Sequence, residues 1–180
     1  PPTDPVDDEV IVPTFVTPLQ LNAIDQRRLI VAGLNAVYES TTRGSTFVGI
    51  PFPALDADPT QTGIQREFRG VGSRQNAIAY GGRRDGEVNP NVLYVGSEDE
   101  LLVRLGMGDP LVLTRSPFPG STIVDVVLDA DDWATAFVID KHRIYVTPDA
   151  GSSWLDITGN LAAVGAGQLR SLEFVRTDDA

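Results

Sequence analysis

The sequence contains no cysteine, which excludes disulfide staples and thiolate-bound metal. Its single histidine, His142, has neither a second histidine nor a Ser or Cys nucleophile pattern beside it, so a zinc site or a catalytic triad lacks its parts. Basic side chains are scarce: 14 Lys and Arg stand against 25 Asp and Glu. The resulting charge of -11 and pI near 4.4 argue against nucleic acid or an anionic membrane as partner. No apolar run approaches the roughly 20 residues that cross a bilayer, and no basic stretch leading into an apolar one opens the sequence.

What is abundant is punctuation. Seventeen glycines and 13 prolines separate short runs of Val, Ile, Leu, Tyr and Phe, none long enough for a helix. Residues 1–12 are acidic and proline-rich and suit an extended linker. Beyond them the runs repeat in a fixed order. Segments 15–21, 76–82, 123–129 and 169–175 each open a unit, spaced 61, 47 and 46 residues apart. A second strand follows at 29–33, 92–96 and 136–140, a third at 36–40, 101–104 and 143–147, and a fourth begins near Thr46, Leu111 and Ser153. Four short antiparallel strands every 40 to 50 residues or so are the mark of a β-propeller blade. The expected fold is all-β: a partial propeller of three four-stranded antiparallel blades (15–55, 76–116 and 123–160) plus the first strand of a fourth at 169–175. Residues 56–75 form one insertion, a surface loop that rigid blades would display.

The strongest internal signal is a gapless match between residues 39–47 and 146–154, 107 positions later. Extended back to Leu21 and Leu128, it places Asp25 on Asp132, Tyr38 on Tyr145, Ser40 on Thr147, Gly44 on Gly151 and Phe47 on Trp154. The frame is Ser/Thr-x-Asp-x-Gly-x-Ser/Thr-Trp. In a hairpin the Asp carboxylate accepts turn N–H groups, the Gly takes a left-handed conformation, and the Trp offers a large apolar plate to a neighbouring sheet. The later copy is intact at Thr147, Asp149, Gly151, Ser153 and Trp154. The earlier one keeps Ser40, Gly44, Thr46 and Phe47 but has Thr42 in place of Asp. Between them Arg104, Gly106, Gly108 and Leu111 occupy the frame, and only the glycine matches.

This pattern resembles the Asp-box, or BNR repeat, of sialidases, VPS10-type receptors, family 74 xyloglucanases and photosystem assembly factors. The resemblance reaches from about Phe15 to Val175 and implies that the motif residues are structural, at the blade periphery and away from a central site. A propeller closes with about four to eight blades, so three imply that the remaining blades come from the same longer chain or from other copies.

Catalytic chemistry is thin. The arginine triad and the Phe/Tyr-Arg-Ile-Pro motif of sialidases are missing, and the nearest string, Phe68-Arg69-Gly70, lies in the insertion. Arg83 and Arg84 read as a solvent-facing hairpin. Paired carboxylates such as Glu98 with Glu100, Asp56 with Asp58, or Asp131 with Asp132 suit a solvated acidic surface, and nothing marks one pair for glycoside hydrolysis. Asp129, Asp131 and Asp132 supply oxygens for a calcium ion without the Gly and distant Glu of an EF-hand loop. No other cofactor is implied. The expectation is a non-catalytic structural or interaction module of an extracellular or cell-surface protein, holding a protein or glycan ligand, with a segment of a glycoside hydrolase as the alternative.

Overall fold

A computed structural model describes residues 17–33, 36–51 and 77–175. The expected linker at 1–12 and insertion at 56–75 lie outside these residues. Twelve strands form three four-stranded antiparallel sheets, each in simple chain order. The first contains β1 (Leu19–Leu21), β2 (Leu29–Ala32), β3 (Val37–Ser40) and β4 (Val48–Gly49). The second contains β5 (Ile78–Arg84), β6 (Glu87–Ser97), β7 (Glu100–Arg104) and β8 (Val112–Leu113). The third contains β9 (Asp125–Leu128), β10 (Ala136–Ile139), β11 (Ile144–Thr147) and β12 (Leu155–Asp156). Strands β2, β3 and β4 map onto β10, β11 and β12 at the 107-residue offset read from the repeat. The opening strands converge, β1 against β5 and β5 against β9, as blades do around an axis with their first strands innermost.

Register assigns the two faces of each sheet. Gln20, Ile30, Glu39 and Val48 align across the first sheet on its front face, toward the second, and Leu19, Val31, Tyr38 and Gly49 align on its rear face. Each front face packs on the rear face of the next sheet. Ile30, Leu93, Tyr94, Leu101, Leu102, Leu111 and Val138 are buried in the resulting continuous core. Adjacent glycines in β5 allow both junctions to close. A Cβ on Gly81 would stand 2.4 Å from Asn22 Oδ1 of the first sheet, and one on Gly82 would stand 2.6 Å from Trp133 Cβ of the third. The sequence alone showed Tyr80-Gly-Gly-Arg-Arg as a charged hairpin. Arg83 and Arg84 are indeed exposed, and the glycines before them are where three sheets meet.

Residues 169–175 join no ladder among the described residues. They nevertheless lie where the opening strand of a fourth blade would, on the front face of the third sheet. The Leu169 amide donates to the Lys141 carbonyl at 2.8 Å, the Leu172 amide donates to Asp125 Oδ2 at 2.8 Å, and Phe174 stacks on Phe137 at 5.7 Å between centroids. An opening strand takes its ladder bonds from the strand that follows it, and nothing after Val175 is described.

Candidate functional site

The repeated turns are built from the backbone outward. At residues 147–154, Ala150 and Gly151 take successive left-handed conformations (φ 54° and 82°), and the Gly151 amide donates to Thr147 Oγ1 at 2.7 Å. Asp149 Oδ1 accepts the Ser153 amide at 2.8 Å and the Thr147 hydroxyl at 3.0 Å, and Oδ2 accepts the Ser153 hydroxyl at 2.7 Å. These bonds, the Ser153 hydroxyl first, lower the Asp149 pKa from its ordinary value. The earlier turn has the same backbone, with Arg43 and Gly44 at φ 58° and 82°, and the Gly44 amide donates to Ser40 Oγ at 2.9 Å. In the middle sheet Gly108 is left-handed (φ 76°), and the Asp109 amide donates to the Gly106 carbonyl at 3.4 Å.

The intact turn docks on the chain leaving β8. Trp154 donates its indole N–H to the Ser116 carbonyl at 3.1 Å, and its ring meets Phe118 edge-on at 5.2 Å. The Ser116 amide and hydroxyl donate to the Gly151 and Ser152 carbonyls at 2.9 and 2.7 Å. Trp154 therefore sits between sheets two and three.

The unexpected constellation lies between sheets one and two. Glu39, on β3, accepts Arg104 from β7 through both oxygens (2.8 and 3.1 Å), Arg28 through Oε1 (2.5 Å), and the Tyr80 hydroxyl. Arg28 Nε donates to the Tyr80 oxygen at 2.7 Å and its Nη1 to Asn91 Oδ1 at 2.8 Å, while Arg104 Nε donates to the Asn91 carbonyl at 3.1 Å. Both arginines and Tyr80 are buried. Burial pushes the Glu39 carboxyl up, but the bonds from Arg104, Arg28 and Tyr80 outweigh it and hold it at about 2. Burial, then the hydrogen bond to Glu39 and its charge, pushes Tyr80 up to about 12.

The repeat does not require this cluster. By register, the positions of Arg28, Glu39, Tyr80 and Arg104 at the next junction belong to Val92, Val103, Leu128 and Thr147. Charged residues that depart from uncharged ones at core positions of a repeat were the available signal, visible only once strand register fixed the correspondence.

Of the three aspartates considered for calcium, Asp129 and Asp132 bond within their own turn. Asp129 Oδ1 accepts the Asp131 and Asp132 amides at 2.8 and 3.1 Å, and Asp132 accepts the Ala134 amide at 3.1 Å, the Thr135 hydroxyl at 3.2 Å and Arg84 at 3.4 Å. Asn22 makes the same turn as Asp129 two blades earlier, accepting the Ile24 and Asp25 amides at 2.9 and 2.8 Å. Arg84 also lies over the Trp133 ring, 5.3 Å from its centroid.

No family model matches the chain, and no curated protein matches it in sequence. Solved structures do match its fold. It is similar to a GH74 xyloglucanase from Xanthomonas campestris (TM-score 0.54, 21% identity, 79% of this chain and 23% of that one). It is also similar to YCF48 from Cyanidioschyzon merolae (0.52, 15%, 79% and 37%) and to YCF48 bound to a D1 peptide (0.51, 18%, 82% and 42%). The chain is a partial β-propeller. It spans less than half the length of each of these three structures, and at such identities the likeness establishes fold alone.

Proposed function

We propose that this partial propeller is a non-catalytic interaction module of an extracellular or cell-surface protein, that its repeated turns are Asp-boxes, and that Thr147, Asp149, Gly151, Ser153 and Trp154, with Ser40, Gly44, Thr46 and Phe47, serve as scaffold. One observation carries the reading: the carboxylates most withdrawn from solvent, Glu39, Asp125 and Asp140, are committed to structure. A glycosidic general acid needs a pKa near working pH and access to the leaving oxygen, opposite a second carboxylate. Glu39 is held at about 2 by two arginines. Asp125 is raised by burial, but its oxygens accept the Val126 and Leu172 amides. Asp140 is spent on Ser121, His142 and Arg143.

The mechanism is rigid display. Sheets locked by the Glu39 cluster and by Trp154 hold their connecting loops in fixed places for a protein ligand, and the peptide-bound YCF48 structure supports that class of partner. The second reading, a segment of a xyloglucanase-like glycoside hydrolase whose catalytic carboxylates lie partly outside this chain, is favoured by the GH74 neighbour. Binding of the chain to arrayed peptides and to xyloglucan oligosaccharides, with reducing sugar measured in parallel, tests both. Retention of peptide without sugar release is expected. Saccharide release abolished by one Asp or Glu substitution would overturn it.

A further inference from the structure

The two junctions between the three sheets follow one docking rule, and the rear face of the first sheet shows half of it unmet. Leu19 and Val126 occupy the same repeat position, yet Leu19 is 56% exposed and Val126 only 2%. Phe47 is 45% exposed, whereas its counterpart Trp154 is packed on Phe118. Gly44 is exposed and Gly151 buried, because Thr114 covers Gly151 closely enough that an added Cβ would stand 2.1 Å from Thr114 Cγ2. At both junctions the residue in the Trp position bonds to the chain leaving the preceding sheet: the Leu111 amide donates to the Pro51 carbonyl at 3.1 Å, as the Trp154 indole does to the Ser116 carbonyl. A matching surface with a preformed turn is thus present on the first sheet, and its counterpart on the third sheet shows what covers such a surface.

We propose that this rear face, Leu19, Leu21, Val31 and the turn at 40–47, is the seat of one further blade of defined chemistry. Its fourth strand exits in a hydroxyl-x-Ser-Pro-aromatic segment like Thr114, Ser116, Pro117 and Phe118. Its front face carries an aliphatic residue where the first sheet has Glu39. The second condition follows from the seat itself. Leu21, Leu29 and Ser40 stand where the second sheet has Tyr80, Leu93 and Arg104, so a carboxylate brought there would be buried without a cation. A blade of the first type therefore cannot precede the first blade; one of the second type can. This deepens the reading of the chain as part of a larger propeller and stands or falls separately from its ligand.

The test appends a second copy of residues 77–122 directly ahead of residues 16–180, which preserves the spacing found between the second and third blades. Hydrogen exchange at the Gly44, Ser45 and Thr46 amides is expected to slow by roughly tenfold or more, toward that of Gly151 to Ser153. Val103→Glu in the appended copy alone should abolish the protection. Unchanged exchange at 44–46 beside a protected appended copy would overturn the proposal. So would slow exchange at 44–46 in the unmodified chain, whether monomeric or self-associated, since the seat would already be filled. A second variant removes dependence on the fusion. Phe118→Ala with Ser116→Ala in the unmodified chain should raise exchange at 151–153 to the level of 44–46, and no rise would show that the exit segment does not cover the turn.

Discussion

Thr42 replaces Asp149 and keeps its bonding pattern. The Thr42 hydroxyl accepts the Thr46 amide at 3.0 Å and meets the Thr46 hydroxyl at 2.8 Å, as Asp149 does with Ser153 at 2.8 and 2.7 Å. A neutral hydroxyl has one oxygen with two lone pairs where a carboxylate has two charged oxygens that accept several donors, so the earlier turn is the weaker of the two. Asp149→Ala should lower Tm by several degrees, and Thr42→Ala by less. Thr42→Asp should keep or raise Tm. Calorimetry of the three variants checks the order, and a larger loss from Thr42→Ala would contradict it.

Glu39 gives the acid limb of stability its shape. Its folded pKa of about 2 lies below the ordinary 4.5, so its contribution is complete above the ordinary value and drains away as pH falls toward 2. Glu39→Gln should flatten stability between those limits. It should also cost about 3–5 kcal/mol at neutral pH, because two buried guanidiniums lose their carboxylate. Chemical denaturation at a series of pH values measures both effects.

Removing the whole cluster should be far milder than breaking it. Arg28→Val, Glu39→Val and Arg104→Thr together copy the residues Val92, Val103 and Thr147 of the next junction. Apolar replacement of buried ion clusters is often neutral or stabilising. The triple variant is expected within about 2 kcal/mol of the parent, well above Glu39→Gln alone. A triple variant less stable than the single one would show that the charges drive the junction.

Tyr80 sets an alkaline limit. Its pKa is raised from 10.0 to about 12, so its contribution is intact below pH 10 and is lost as pH rises through 12. Tyr80→Phe should lose that alkaline decline and, by leaving Arg28 Nε without its acceptor, cost about 1–3 kcal/mol at neutral pH. Ultraviolet titration of tyrosinate alongside unfolding curves locates the effect.

Equivalent aromatics should differ by their surroundings. Trp154→Ala removes a ring packed on Phe118 and an indole bond to Ser116, and should cost roughly 2–4 kcal/mol. Phe47→Ala, at the same repeat position but largely solvent-facing, should cost under about 1 kcal/mol. Equal losses would refute the packing argument.

The strands of the first and third sheets were legible because two copies of one pattern fix each other's register, and the turn chemistry at Asp149 and Gly151 is local in sequence. The Glu39 cluster was not legible, since its members come from three strands and a loop as distant as Arg28 and Arg104 and meet only through sheet stacking. The role of Gly81 and Gly82 within the strand at 76–82 was hidden for a similar reason: a missing side chain signals close approach only when the approaching Asn22 and Trp133 are known. The segment at 169–175 has a strand's composition, but composition does not supply the neighbour that completes a ladder.

The Arg28–Glu39–Arg104 arrangement also constrains how such a chain can drift. Losing Glu39 leaves two buried guanidiniums without their carboxylate, while exchanging all three residues copies the uncharged contact of the next junction, so a descendant that loses the carboxylate first passes through a valley that the starting and final states lack. Once acquired, the cluster acts as a ratchet that keeps these two modules adjacent while the sequence around them wanders.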